Sequence, residues 1–224
     1  MNTVETSNPF DIQNKLKLVR NPRINNAIGT VINQVSGLNS LGHLYREDDA
    51  LRQCKEPVSF IEQALKRLNI HFRISSGCLQ HIPAEGGLVV VANHPFGGLD
   101  GLVLACLLKQ VRSDVKIIAN GYLKMIPALS SLFFDVDPIN RKKAMQKNAT
   151  SLKHAVRHVR DGGCLVVFPA GEVSHLKLRE QRVVDSAWSI TIAKLVKLGS
   201  APVLPVFFHG KNSLHFQLLG LIHP

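Results

Sequence analysis

The sequence predicts an α/β fold, in which a mixed, largely parallel sheet is flanked by helices and preceded by an N-terminal helical element. From about residue 70 onward, short β-rich runs alternate with helical stretches, a pattern typical of βαβ units. These runs are apolar at nearly every position, as expected for parallel strands that are buried on both faces. The preceding residues carry helical periodicity instead. We therefore predict two domains, a helical element over residues 1–69 and an α/β domain over residues 70–224.

Each strand and helix of the α/β domain is predicted from its own segment. The predicted strands are Leu88–Ala92, Val115–Ala119, Leu132–Val136, Cys164–Phe168 and Val203–Phe208. The predicted helices are Asp100–Val111, residues 142–160 and residues 184–198. Gly162 and Gly163 end the second helix. Two prolines in residues 201–206 are typical of a strand at the edge of a sheet.

The N-terminal element is predicted to contain two helical stretches. Residues 11–38 have helical periodicity, which Pro22 interrupts. After that proline the apolar residues fall on one face, and they are Ile24, Ile28, Val31, Ile32 and Val35. Ser59 and Glu62 form a capping-box pattern, which predicts that a second, short amphipathic helix begins at Ser59.

Charge and composition limit the class of partner and the compartment. The chain has 27 basic and 16 acidic residues and a formal net charge of +11, which indicates an anionic partner: nucleic acid, an acidic membrane surface or an acidic carrier protein. Its four cysteines form no C-x-x-C pair, which fits a reducing compartment. The N-terminus is polar and no apolar run reaches about 18 residues. We expect a cytoplasmic protein that contacts a membrane only from its inner surface.

The densest chemical signal follows the first predicted strand and reads Asn93-His94-Pro95-Phe96-Gly97-Gly98-Leu99-Asp100. Sites in α/β sheets form at the carboxyl ends of strands, and Gly97 and Gly98 allow the turn to bring His94 and Asp100 together. Asp100 can then accept a hydrogen bond from Nδ1 and leave Nε2 free to take a proton. The alternative is that His94 is a turn histidine and Asp100 an ordinary helix cap.

Three further blocks also lie at strand ends. One is Asp137-Pro138-Ile139-Asn140-Arg141, and its alternative interpretation is a turn before a basic helix. The next is Phe168-Pro169-Ala170-Gly171-Glu172-Val173-Ser174-His175, and its alternative interpretation is an ordinary loop after a strand. The last is Ala201-Pro202-Val203-Leu204-Pro205-Val206.

The four blocks together resemble the lysophosphatidate acyltransferase (PlsC-like) superfamily of glycerolipid acyltransferases, in order and over residues 88–208. The resemblance implies that residues 70–224 form an acyltransferase domain, with His94 as general base and Asp100 as its orienter. It implies substrate contacts from the remaining block residues: Asn93, Gly97, Gly98, Arg141, Phe168, Pro169, Gly171 and Glu172. It also implies an acyl carrier protein or CoA thioester as donor, a lyso-lipid as acceptor, and no metal or other cofactor.

Departures from the family pattern bear on the acceptor. Five residues, rather than four, separate His94 from Asp100. Ala170 stands where the family has a glutamate, which Glu172 can replace, and Val173 stands where the family has the arginine linked with the acceptor phosphate. The variant resembles the haemolysin-like branch, which includes O-acyltransferases of lyso-ornithine and lyso-glycine lipids. We therefore expect an aminolipid acceptor.

Three alternatives remain from the sequence. The first is a lysophosphatidate acyltransferase of phospholipid synthesis, and the second is a thioesterase in which water replaces the acceptor. The third, from a different class, is a non-catalytic basic module that binds membranes or nucleic acid. No nucleic acid is expected, because the basic helix over residues 142–160 lacks interleaved aromatic residues and no known binding motif is present.

Overall fold

The computed structural model describes residues 44–45, 47–75, 77, 79–120, 126–136, 141–214 and 216–217, and the side chains of residues 120 and 141–147 are outside that description. The chain falls into two compact units that divide between His71 and Phe72. The predicted helical stretch over residues 11–38 lies outside the described residues. Among the described helices, none combines the length and the apolar content that crossing a membrane requires.

The first unit contains two described helices, α1 (Asp49–Gln53) and α2 (Pro57–Arg67). The amphipathic helix that the sequence predicts is α2, whose buried residues are Phe60, Ile61, Ala64 and Leu65. Its predicted start was wrong, since α2 begins at Pro57 and Ser59 lies inside its first turn. Proline has no backbone N–H to leave unpaired, so it starts a helix without help from a capping side chain.

The second unit is built on a five-stranded parallel sheet, which confirms the predicted fold class. Its strands are β1 (Leu88–Ala92), β2 (Lys116–Asn120), β3 (Phe133–Val136), β4 (Cys164–Val167) and β7 (Val203–Val206). They lie in the order β3-β2-β4-β1-β7, and every neighbouring pair is parallel. All residues of β1 and β4 are buried. Strand β7 lies at the edge, as its prolines predicted.

Helices cover both faces of this sheet. These are α3 (Gly98–Leu108), α4 (Arg141–Arg160) and α5 (Ile190–Gly199). Residues of α4 and α5 form one core cluster with alternate residues of β1 and β4: Val89, Val91, Ala155, Val159, Leu165, Val167 and Leu195. On the other face, α3 approaches β2 so closely that a side chain at Gly101 would lie 3.9 Å from Ile117 Cδ1.

The helix predicted over residues 184–198 begins later than expected, because a short antiparallel hairpin extends to Val184. Strands β5 (His175–Lys177) and β6 (Arg182–Val184) pair with each other, whereas the sequence predicted a helix from residue 184. The helix α5 begins only at Ile190, after Ser189 accepts a hydrogen bond from the Thr191 N–H. The apolar pair at 183–184 fits both periodicities, but the capping serine marks the true helix start.

An arginine near the amino-terminal ends of the strands forms hydrogen bonds with several loops. The Arg112 side chain is buried and donates two hydrogen bonds to the Asp114 carboxylate, at 2.9 and 2.6 Å. It also donates to the carbonyls of Pro83 (2.9 Å) and Gly162 (2.7 Å). The hydrogen bonds from Arg112 hold the pKa of Asp114 below its usual range. Nearby, burial raises the pKa of the Cys164 thiol to about 11.

Candidate active site

The loop between β1 and α3 brings together the two residues that the sequence predicted as base and orienter. Gly97 has a φ of +69°, and a Cβ atom there would lie 3.1 Å from the Val173 side chain, so glycine suits both the turn and the space. The turn ends β1 and starts α3 within a few residues. As a result, Nδ1 of His94 lies 3.0 Å from Oδ2 of Asp100.

Asp100 is fixed in place, whereas His94 is partly accessible. The Asp100 side chain is 1% exposed, and its Oδ2 also accepts the Phe96 N–H at 2.9 Å. His94 is 17% exposed. The Nδ1–Oδ2 distance is within hydrogen-bonding range, but the Nδ1–H direction is not aligned with the oxygen, and Asp100 Oδ1 has no hydrogen-bond partner among the described residues. The 3.0 Å separation is compatible with a hydrogen bond in the substrate complex, because catalytic hydrogen bonds are often poorly aligned without substrate and tighten when it binds.

Phe168 supports the imidazole from the end of the neighbouring strand β4. The rings of His94 and Phe168 stack with centroids 4.1 Å apart and planes inclined by 27°. With Nδ1 beside Asp100 and one ring face on Phe168, the edge that carries Nε2 is the part of the imidazole left for a substrate. Phe168 thus contacts the predicted base directly.

The main chain of His94 is bound on both sides by residues from the third block and the hairpin. Its N–H donates to Asp185 Oδ1 at 3.2 Å, and its carbonyl accepts the Ser174 N–H at 2.9 Å. The Ser174 hydroxyl donates to the same Asp185 Oδ1 at 2.5 Å, and Trp188 Nε1 donates to Asp185 Oδ2 at 3.0 Å. Sequence reasoning missed Asp185 and Trp188. The available signal was Asp185 directly after the apolar pair Val183 and Val184. It was overlooked because the residues from 184 onward were assigned to a helix.

The segment after β7 binds the same loop. The Asn93 side chain donates to the Phe208 carbonyl at 3.0 Å and accepts the Phe208 N–H at 2.7 Å. Asn212 Nδ2 donates to the Pro95 carbonyl at 2.9 Å. The sequence predicted a substrate contact for Asn93. The structure places its amide against main chain, where it holds the two strand exits together.

The remaining residues of the third block lie around the turn that follows β4. Pro169 is buried, and Gly171 has a φ of +71° with open space where a side chain would be. Glu172 is 44% exposed and lies 3.9 Å from His175 Nδ1. Its carboxylate accepts a hydrogen bond from the Ser186 hydroxyl. The described contacts of Glu172 are therefore with the hairpin side of the site.

Two predicted residues stand at helix starts. Gly98 is the first residue of α3, which has no side-chain cap. Arg141 is the first residue of α4, and its side chain lies outside the described part of the structure. In the ranges that the structure describes, no group of three or more histidine, cysteine, aspartate or glutamate side chains could hold a metal ion.

A cavity of about 570 Å³ adjoins this loop. Its lining includes Asn93 and Pro95, on either side of His94, but not His94 itself. Apolar residues of β1, β6 and β7 contribute to its wall, together with Trp188 and Asp185. The cavity therefore lies beside the loop of the predicted base, but the imidazole does not line it.

Two curated relatives are similar to this chain, and both are named lyso-glycine lipid O-acyltransferase. The one from Phocaeicola vulgatus is 27% identical over 188 residues, which cover 81% of this chain and 64% of the relative. The one from Bacteroides thetaiotaomicron is 28% identical over 190 residues, which cover 83% of this chain and 66% of the relative. The chain thus spans about two thirds of the length of the curated relatives it matches.

A solved structure also aligns with the chain. It is the 1-acyl-sn-glycerophosphate (LPA) acyltransferase PlsC from Thermotoga maritima, with 20% sequence identity and a TM-score of 0.43. The alignment covers 79% of this chain and 64% of that one.

The family comparison covers the whole of the parallel sheet. The sequence model of the family described as Acyltransferase matches residues 73–209. That range is more than half of the 224 residues and includes the loop of His94 and Asp100, the Phe168 block and strand β7. The chain therefore belongs to the Acyltransferase family of PlsC-like proteins.

Proposed function

We propose that the protein is an O-acyltransferase that moves a fatty acyl group from a thioester onto the hydroxyl of a lyso-lipid with an amino-acid head group. The observation that carries the proposal is the 3.0 Å approach of His94 Nδ1 to the buried Asp100 carboxylate at the carboxyl end of β1. The family match and the names of the two curated relatives support the reaction class. Lyso-glycine lipid is the first acceptor to test.

His94 is proposed to act as general base. Its Nε2 takes the proton of the acceptor hydroxyl while the oxygen attacks the carbonyl carbon of the thioester. The tetrahedral intermediate then collapses, the carbon–sulfur bond breaks, and the leaving sulfur receives the proton from Nε2. The products are an ester and a free thiol, and no acyl-enzyme forms. Asp100 stabilises the imidazolium that exists between these two proton transfers.

The start of α3 is the proposed site for the negative charge of the intermediate. The first backbone N–H groups of a helix have no partner inside it, and the helix dipole favours negative charge there. No side chain caps α3, and the Phe96 N–H is already bonded to Asp100, so the N–H groups of Gly98 and Leu99 are the proposed donors. Charge stabilisation by such fixed donors is often the largest single contribution to catalysis.

Val173 is the residue that favours an aminolipid as the acceptor. Its side chain packs towards Gly97, at the turn that carries His94, and it cannot donate a hydrogen bond. In the resembled family an arginine at this position binds the acceptor phosphate. A buried phosphate without a charged donor would bind more weakly by about 2–4 kcal/mol. A glycine head group carries one carboxylate charge in place of a phosphate, so the loss is smaller for this acceptor.

A competition assay tests the acceptor. Lyso-glycine lipid and lysophosphatidate are supplied at equal concentration with one acyl thioester, and the products are separated by mass. We expect the acylated glycine lipid to dominate, and we expect Val173→Arg to shift the ratio towards phosphatidate, while Val173→Leu does not. Phosphatidate as the main wild-type product would refute the aminolipid proposal.

The donor and the thioesterase alternative can be tested in one assay. Thiol release is followed with acyl-ACP or acyl-CoA, with and without the acceptor. Transfer requires that thiol release depends on the acceptor, whereas a thioesterase releases the thiol without it. The donor with the higher kcat/KM is the physiological candidate.

We also propose that the outer face of α4 and α5 contacts the anionic inner surface of the cell membrane. Four basic residues and one acidic residue line the groove between these helices: Lys153, Arg157, Arg160, Lys194 and Asp161. Beside them Ile190 and Leu198 are 70% and 53% exposed, and an apolar strip with cations at its border is typical of interfacial binding.

Vesicle flotation tests the membrane contact. Binding should require anionic lipid and weaken as salt rises. Lys194→Glu should weaken binding about fivefold or more, since one basic residue near the surface contributes about 1 kcal/mol. The matched control is Lys109→Glu at the C-terminal cap of α3, a helix that lies on the other face of the sheet. Equal losses in the two variants would show that net charge, not this face, drives binding.

A further inference from the structure

We propose that Asp185 is a positioning residue for the acyl-transfer reaction, and that it acts together with Ser174 by fixing the main chain of His94. This inference rests on the proposed function, because it assigns a role in the same reaction. Neither residue touches the reacting atoms in the mechanism above. Their role is to determine where the imidazole lies relative to Asp100 and the thioester.

A closed ring of hydrogen bonds joins the main chain of His94 to Asp185 and Ser174. His94 N–H and the Ser174 hydroxyl both donate to one oxygen of Asp185, at 3.2 and 2.5 Å. The Ser174 N–H donates back to the His94 carbonyl at 2.9 Å. Both polar groups of the His94 main chain are therefore satisfied by two residues, which lie 80 and 91 positions away in the sequence.

The burial of Ser174 shows that this ring is a built feature rather than a surface contact. Ser174 is 3% exposed, although serine is usually found at the surface. The second oxygen of Asp185 accepts Trp188 Nε1, so the three partners that this carboxylate has among the described residues are neutral donors. Such an arrangement orients the carboxylate without an ion pair, and it connects the third block and the hairpin to the catalytic loop.

The side chain of His94 has its own supports, and this makes the main-chain bonds functionally important. Asp100 and Phe168 orient the ring, but they can do so only if the loop places the Cα atom correctly. A displacement of about 1 Å in a reacting group can lower the rate about 10²-fold. Loss of the ring of hydrogen bonds should therefore lower kcat, with much less effect on KM.

A graded set of variants follows from the contacts. Asp185→Ala removes three hydrogen bonds and should lower kcat about 10²-fold, with KM within about twofold. Ser174→Ala removes one and should lower kcat about tenfold. Asp185→Asn keeps an oxygen for His94 and Ser174 but turns an N–H towards Trp188, so its effect should be intermediate. Glu180→Gln changes an exposed carboxylate of the same hairpin and serves as the matched control.

Two measurements distinguish positioning from general destabilisation. In a His94→Ala background, Asp185→Ala should cause no further loss of the residual rate, because it acts only through His94. A purely structural role would lower both backgrounds equally. Independently of activity, NMR hydrogen exchange at the His94 amide should accelerate at least tenfold in Asp185→Ala and stay at the wild-type rate in Glu180→Gln.

The outcomes are separable. Unchanged exchange at the His94 amide would overturn the hydrogen-bond ring itself. Faster exchange with wild-type kcat would overturn the positioning role. Failure of the wild-type protein to transfer acyl groups to either acceptor would instead overturn the proposed function, while the exchange measurement would still report on the ring.

Discussion

Asp100→Asn is the sharpest test of the proposed mechanism, because it changes one charge and almost no volume. The Asp100 carboxylate is fully buried and lies 3.0 Å from His94 Nδ1, with the Phe96 N–H on the same oxygen. An asparagine can keep its oxygen towards Phe96. It then loses the negative charge that stabilises the imidazolium, or it turns its amide towards Nδ1 and selects the wrong tautomer.

The expected loss of kcat follows from the distance between His94 Nδ1 and Asp100 Oδ2. Two unit charges at about 3 Å and an effective dielectric constant of about 20 attract each other by roughly 5 kcal/mol. Each 1.36 kcal/mol changes a rate tenfold, so the loss of this attraction corresponds to roughly 10³–10⁴ in kcat. Before proton transfer the imidazole of His94 is uncharged, and the charge of the Asp100 carboxylate stabilises it little. KM should therefore change far less than kcat.

The assay is steady-state acyl transfer at saturating thioester, with far-ultraviolet circular dichroism as the check on folding. Glu180→Gln is the matched control, since Glu180 is an exposed carboxylate of the hairpin. It should keep wild-type kcat. A folded Asp100→Asn protein with kcat within tenfold of wild type would refute the assignment of Asp100 as orienter.

Three further predictions concern the general base His94, the buried Arg112 and the thiol of Cys164. His94→Ala should lower kcat by at least roughly 10²–10⁴-fold, and a near-wild-type rate in the folded variant would exclude His94 as the base. Arg112→Leu should lower the free energy of unfolding by about 3 kcal/mol in urea titrations, because it leaves two carbonyls and Asp114 without their donor; an unchanged midpoint contradicts this. Because Arg112 lowers the pKa of Asp114, the part of this contribution that comes from Asp114 is present above the unfolded-state pKa and is lost as pH falls through the folded-state value. The stability difference between the two proteins should therefore shrink in acid, while the part from the two carbonyls remains. Cys164, with its pKa raised to about 11, should resist iodoacetamide at pH 8 in the folded protein and react after unfolding, as peptide mass spectrometry will show.

Much of the sheet could be predicted because its strands are continuous apolar runs. The predicted runs Leu88–Ala92 and Cys164–Phe168 became the interior strands β1 (Leu88–Ala92) and β4 (Cys164–Val167), in which every residue is buried. A residue pattern of this kind has only one good environment, between two layers of helices. The approach of His94 to Asp100 could also be anticipated, since the two residues are local in sequence and flank a glycine turn.

The contacts of Asp185 could not be predicted in the same way. Its partners are the main chain of His94, the hydroxyl of Ser174 and the indole of Trp188, and two of these lie in other parts of the sequence. A single aspartate has no periodicity, and its neighbours Val183 and Val184 suit a helix face as well as a strand. The bonds of Asn93 to the Phe208 main chain could not be predicted for a related reason, since residue types do not indicate a main-chain partner.

The bonds that join the catalytic loop to the segment after β7 also determine when the site can form. Asn93 pairs with Phe208, and Asn212 with Pro95, across separations of 115 and 117 residues. A ribosome adds residues from the N-terminus, at about 5–20 per second. The loop of His94 must therefore wait several seconds for its last partners, and contacts of such long range form late in folding. A nascent chain that has reached only β4 already holds both the base and its orienter, yet it lacks the segment that fixes them. Activity should thus appear abruptly, as one of the last events in the synthesis and folding of this domain.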